Sequence, residues 1–298
     1  MPSARYLAYL CGMIDYNPKS WFTFIFRIHR ADTFRKLAPL MMAIMVYSAI
    51  IVYLEVNVFK LAETSHVKNI SLVHTILSFV ISMLLVFRTN TAYDRWWEGR
   101  RILGSLTNTS RNLAIKLNAI KLNGQDRAFF AAGIPTYANA LRMHLREERW
   151  IANDDHIVQI DPDKHVPNQI AAALTARIYK LHRDGIIARE ELLLIGVDIA
   201  SFTDIIGACE RIKTTPIPFS YSVFIKKFIF FFVMTLPYGW SFSLGYLVVP
   251  LVAFVLYVLA SLELIAEEIE DPFGYDANDL PVDRICTNIQ KHVREVLG

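Results

Sequence analysis

Few side chains in this 298-residue chain are placed to do covalent chemistry. His74 and Ser78 lie four residues apart in an apolar run, so a helix there carries both on one face. A serine beside a histidine is the beginning of a nucleophile–base pair, but such a pair needs a third group to orient the base. The chain supplies no acid at a comparable depth, and it has no HExxH zinc helix. His74 therefore reads as a packing or outer-vestibule residue, and no enzymatic activity is expected. Cys11, Cys209 and Cys286 are odd in number and far apart, without CxxC or Cys/His spacing. Neither a disulfide framework nor a zinc site follows from them. A third pattern is physical rather than reactive. Phe79, Met83 and Phe87 recur at every fourth residue and share a helix face, with Ser78 and Ser82 beside them. In a membrane helix such a stripe either packs against lipid or neighbours, or forms an apolar constriction that gates a pore by dewetting. Spacing alone leaves both open.

The elements that carry these residues are unusually apolar. Hydrophobic residues make up 54% of the chain and the mean hydropathy is +0.32, against roughly 45–50% apolar in soluble chains. The excess is concentrated towards the two ends. A bilayer-crossing helix needs about 20 mostly apolar residues, and runs near 37–56, 70–87, 223–240 and 244–264 satisfy this. Between them, residues 94–215 are polar with apolar positions at helical spacing, Gly185 as a helix stop and a loop at Asp161-Pro-Asp163. Strand-like alternation is scarce, so the fold class is all-α. Arg27, Arg30, Arg35 and Lys36 precede the first run, Arg88, Arg95, Arg100 and Arg101 follow the second, and Lys213, Lys226 and Lys227 surround the start of the third. The connection between the first two runs holds only Lys60 and Lys68 against Glu63, and the last turn is uncharged. By the positive-inside rule both termini, the middle region and the segment 265–298 face the cytoplasm. Lys226 and Lys227 would snorkel to that surface. Arg27, His29 and Arg30 give the N-terminal stretch an interfacial character rather than that of a signal peptide. A net charge of +3 is too small to argue for nucleic acid as a partner.

Three blocks carry a resemblance. RTNTAYDRWWEGRR (88–101), CERIKTTPIPFSY (209–221) and EEIEDPFGYDANDLPVD (267–283) stand in the order and approximate spacing of the bestrophin family, its bacterial members in particular. The likeness spans nearly the whole chain as one channel domain, 1–298. It implies a homopentamer around a central pore, four transmembrane helices per chain, and residence in the bacterial inner membrane among lipids. It also implies a narrow apolar neck at Phe79, Met83 and Phe87. The family's second constriction, usually small or aliphatic, falls on Glu190 when counted back from Pro218. Five symmetry-related glutamates would form an acidic ring, which favours cations; otherwise Glu190 is a solvated acid at a helix start. The relatives' calcium clasp maps onto Asp271, Asp276 and Asp279. With Asp271 in place of the usual asparagine and no EF-hand spacing, a structural role is expected there, calcium being the alternative. No other cofactor is implied. The expected function is passive conduction of small monovalent ions, cations preferred. The alternatives are an anion (chloride) channel of the same fold and a non-conducting scaffold.

Overall fold

The computed structural model describes residues 32–59, 70–150 and 160–298. Cys11, the interfacial segment with Arg27, His29 and Arg30, and the connection with Lys60, Glu63 and Lys68 lie outside the described residues. Among the described residues every regular element is helical and no strand occurs. In chain order they are α1 (Asp32–Tyr53), a π-helical turn (Leu54–Val58), α2 (Ile70–Ala119), α3 (Gly124–Leu145), α4 (Val166–Arg183), α5 (Arg189–Thr214) and α6 (Phe219–Leu244). A short 3-10 turn (Gly245–Leu247), α7 (Val248–Glu270) and α8 (Val282–Leu297) complete the chain.

The described residues fall into two compact units. The apolar unit holds residues 32–94 and 217–270, and the polar unit holds residues 95–216 and 271–298. In the apolar unit α1 packs along α6 and α7, and the first part of α2 joins them. Ile44, Val52, Ile81, Leu85, Ile225 and Val233 form its interior. Many large apolar side chains point outward, among them Met42, Leu72, Phe231 and Phe254. So much exposed apolar surface suits hydrocarbon and not water. Gly245, at φ +53°, breaks α6 from α7 in a left-handed conformation that only glycine adopts without strain. Several polar groups inside this unit are paired with one another, as a lipid environment favours. Ser241 is hydrogen-bonded to the buried Glu55, and the Tyr47 hydroxyl lies 3.1 Å from both the Tyr238 hydroxyl and the Met234 carbonyl.

Among the described residues, the stretches long and apolar enough to cross a membrane are Thr33–Val58, Leu72–Ala119, Arg189–Thr214 and Phe219–Glu270, the last containing both α6 and α7. Arg189–Thr214, which is α5, was not expected from the sequence to be so apolar. Its apolar residues are used in the polar unit, where Ile195, Phe202, Ile206 and Cys209 are buried in the core with Phe130 and Tyr137 of α3.

In the polar unit the starts of α3, α4 and α5 are capped. The Asn123 side chain accepts the Asp126 amide at 2.7 Å, and the His165 ring accepts the Asn168 amide at 3.2 Å. The Glu191 carboxylate accepts the Ala188 amide at 2.8 Å. Each satisfies an N–H that a helix start leaves without a partner. The chain leaves α4 through Gly185 at φ +75°, the stop expected from the sequence.

Candidate pore-lining site

α2 is the element that positions the apolar stripe. It runs unbroken for 50 residues, about 75 Å at 1.5 Å per residue, although its composition changes from apolar to charged at Arg88. Within the apolar unit one face is packed: Ile81 is 1% exposed, Leu85 2%, and Ala92 is fully buried. The other face is open. Phe79 is 71% exposed, Met83 44% and Phe87 55%, and Leu72, Ile76 and Val86 extend the same surface. Leu72, Phe79 and Val86 lie seven residues apart, as do Ile76, Met83 and the exposed Asn90. A period of 3.5 residues is the one that keeps a seam on one side where parallel helices associate.

The polar residues on this stretch are tied down. Ser78 and Ser82 donate their hydroxyls to the carbonyls of His74 and Ser78, each at 2.7 Å. The His74 ring is buried, with Nε2 2.9 Å from Thr235 Oγ1 and an edge-to-face contact to Phe232 at 5.7 Å. Ser78 thus bonds to the backbone of His74 and not to its imidazole, so the serine–histidine pair has no nucleophilic geometry.

Directly below the stripe, Arg88 turns the opposite way and is 1% exposed. Its Nε lies 3.4 Å from Glu263 Oε1, and its Nη2 donates to Glu270 Oε2 at 2.7 Å. The other Glu270 oxygen accepts the Ile217 amide at 2.6 Å. A buried guanidinium needs such partners, because desolvating it alone costs several kcal/mol, on the order of 3–5 when a partner is removed. Two neighbouring acids on α7 are paired as well: Glu267 with Lys226 at 2.9 Å and Glu268 with Lys36 at 3.2 Å. Lys226 thus has a carboxylate partner while its side chain stays about half exposed. Sequence reasoning missed the Arg88–Glu263–Glu270 cluster. The available signal was Glu263, an acid inside an apolar run, since intramembrane charges rarely stand without a partner.

Glu190 lies in the first turn of α5, exposed beside the exposed Arg189 and Glu191. Leu193, Leu194 and Val197 follow it, also exposed. Of the acidic block, Asp271 and Asp276 are exposed while Asp279 is buried. Asp279 Oδ2 accepts the Asp276 amide at 2.7 Å, and the Asp279 amide donates to the Asp276 carbonyl at 3.1 Å. These are the bonds of a closed turn. Among the described residues, the ligand atoms of three His, Cys, Asp or Glu side chains lie within 4.8 Å of one another only at a cluster elsewhere, and not at Asp271, Asp276 and Asp279. The basic residues beside this loop take Asp283: Arg142 at 2.9 Å and Arg146 at 2.8 Å. Trp96 donates its indole N–H to the Asn278 carbonyl at 2.9 Å, so it serves the architecture of the polar unit.

Residues 13–295 match the family model described as "Bacterial/Fungal Bestrophin protein". A voltage-dependent anion channel-forming protein of Nostoc sp. is 33% identical over 233 residues, which cover 74% of this chain and 75% of the relative. A protein of the same description from Mesorhizobium japonicum is 27% identical over 293 residues, 95% of this chain and 92% of the relative. Among solved structures, a bacterial bestrophin homologue from Klebsiella pneumoniae superposes with a TM-score of 0.79 at 24% identity, covering 88% of this chain and 99% of that one. At that identity the likeness carries the fold alone.

Proposed function

We propose, from the premise that the chain belongs to the bacterial and fungal bestrophin family, that this multi-pass membrane protein passes small anions passively through a pore lined by α2. The observation that carries the proposal is the open, apolar face of α2, periodic every 3.5 residues, on a helix whose other face is packed. A symmetric oligomer would bring copies of that face together, and a homopentamer is the state the family resemblance implies. Phe79, Met83 and Phe87 would then ring the narrowest part. An apolar ring offers no charge to bind an ion, so it acts as a gate and size filter by excluding water.

On the choice of ion, the anion alternative replaces the cation preference expected from the sequence. Two considerations support it. The relatives named above carry anion-channel names. Glu190 stands in the first turn of α5, where the helix dipole favours acids in any helix, and the neighbouring Arg189 offsets its charge. Leu193, Leu194 and Val197 on the following turns would suit an aliphatic constriction equally well. The apolar unit would sit in a bacterial inner membrane with both termini and the polar unit on the cytoplasmic side, in accord with the basic residues flanking the apolar runs. Conduction, rather than catalysis, accords with the tied-down Ser78 and His74.

The test is the reversal potential of purified protein in planar bilayers across a potassium chloride gradient. A potential near the chloride equilibrium value supports the proposal. A value near that of potassium overturns the anion assignment and restores the Glu190 ring. Absence of current from a verified oligomer favours a non-conducting scaffold.

A further inference from the structure

His144 in the last turn of α3, His165 at the N-cap of α4, and Glu210 near the end of α5 come together in the polar unit. His144 Nε2 lies 2.8 Å and His165 Nε2 2.7 Å from the same oxygen, Glu210 Oε1. The two rings face each other at 4.4 Å between centroids, tilted by 52°. All three donor atoms lie within 4.8 Å of one another. Their side chains are 35%, 30% and 35% exposed, so water and ions reach them. Glu210 also lines one end of an open groove of about 680 Å³ between α4 and α5.

We propose that His144, His165 and Glu210 form a binding site for a divalent first-row transition metal, with zinc as the best-matched ion. Two imidazoles and one carboxylate are borderline donors that suit zinc and its neighbours and do not suit calcium, which takes six to eight oxygens. Three protein ligands with the remaining position open to water is the arrangement of accessible zinc sites, with metal–nitrogen bonds of about 2.0–2.1 Å. Ligand atoms of a tetrahedral ion at that bond length stand about 3.3 Å apart. The present separations of 2.7 and 2.8 Å therefore need to widen by only about half an ångström. Coordination through Nε2 requires the proton of each neutral ring to stand on Nδ1. In His165 this gives up the bond from the Asn168 amide, which is exposed and passes to water. Lys213, one turn beyond Glu210, pairs with Glu147 at 3.0 Å and donates to the Leu145 carbonyl. It holds the end of α5 against the end of α3, so the ligands are brought into register before any ion arrives. Bound metal would fasten α3, α4 and α5 together, and α5 is the helix that carries Glu190 and the exposed Leu193, Leu194 and Val197.

The experiment uses the full chain, purified in detergent without a polyhistidine tag, and zinc chloride as the probe. Zinc content after gel filtration, titration calorimetry, and the visible absorption of the cobalt(II) form are read on wild type, Glu210→Gln and His144→Gln. The His144→Gln side chain keeps an N–H donor towards Glu210 but has no nitrogen lone pair, so it separates metal binding from hydrogen bonding. One zinc per chain in the wild type is expected, together with the intense cobalt bands of a tetrahedral site and at least tenfold weaker binding in both variants. A wild type that retains no zinc, or variants that bind it equally well, would overturn the proposal. Should either variant fail to fold, His165→Gln and the cobalt spectrum of the wild type decide the matter: octahedral, weak bands would exclude this ligand set.

Discussion

Met83 is the least exposed of the three stripe residues and has the most flexible side chain, so a ring of it can narrow a pore without closing it. If dewetting sets the barrier, shortening the side chain lowers it. Met83→Ala and Phe79→Ala are expected to raise single-channel conductance severalfold at unchanged ion selectivity, measured in planar bilayers. Unchanged conductance in both would take the stripe out of the pore. Glu190→Ala is expected to leave the reversal potential where it is, because the acid sits among like and unlike charges at a helix start. Cys286 gives a residue-scale check on the polar unit. Its thiol is 4% exposed and lies 3.3 Å from the Ala138 carbonyl. Burial pushes it up to about 12, against about 8.5 for a free thiol. In folded protein at pH 8 it should resist iodoacetamide, while detergent-denatured chain should be alkylated there, as read by peptide mass spectrometry.

Between elements, the decisive contacts are those that lock α2. Arg88 stands one residue after Phe87 and joins α2 to two acids of α7. Replacing it with methionine leaves Glu263 buried without its cation, and breaking a buried pair in this way costs about 3–5 kcal/mol. Arg88→Met should therefore lower the thermal midpoint in detergent markedly, and Arg88→Met with Glu263→Gln should recover part of the loss. If the double variant is no better than the single one, the pairing contributes little. In the polar unit, Gly99 of α2 lies under the acidic loop, and a Cβ there would meet Leu280, Phe273 and Pro272 at 3.2 Å each. Gly99→Val should cost about 1–3 kcal/mol through overpacking, seen as faster proteolysis of the 271–281 loop. The family resemblance singled out the loop's carboxylates and led to the expectation of a structural role. Their individual partners were not legible, because the bond of Asp279 to the Asp276 amide and of Arg142 and Arg146 to Asp283 depends on how the loop folds.

For the whole molecule, the proposed pore needs several copies of the chain, each contributing the open apolar face of α2. Native mass spectrometry is expected to show five times the 34.1 kDa chain, and a monomer under conducting conditions would exclude a pore built from α2. The apolar unit should remain with the membrane after alkaline extraction, since its outward side chains match hydrocarbon.

The sequence by itself determined the all-α class, the apolar runs and the family, because these reside in local quantities: composition over about 20 residues, a period of 3.6, and motifs in a fixed order. It also located the stripe Phe79–Met83–Phe87, since its four-residue spacing is local too. Only the tertiary structure decided which face of α2 is left open, since that depends on what Ile81 and Leu85 pack against. It likewise paired Arg88 with acids 175 and 182 positions away. The same holds for His144, His165 and Glu210, which show no metal spacing along the chain. They meet because three helix ends converge, and convergence of ends is a property of packing that no local period encodes.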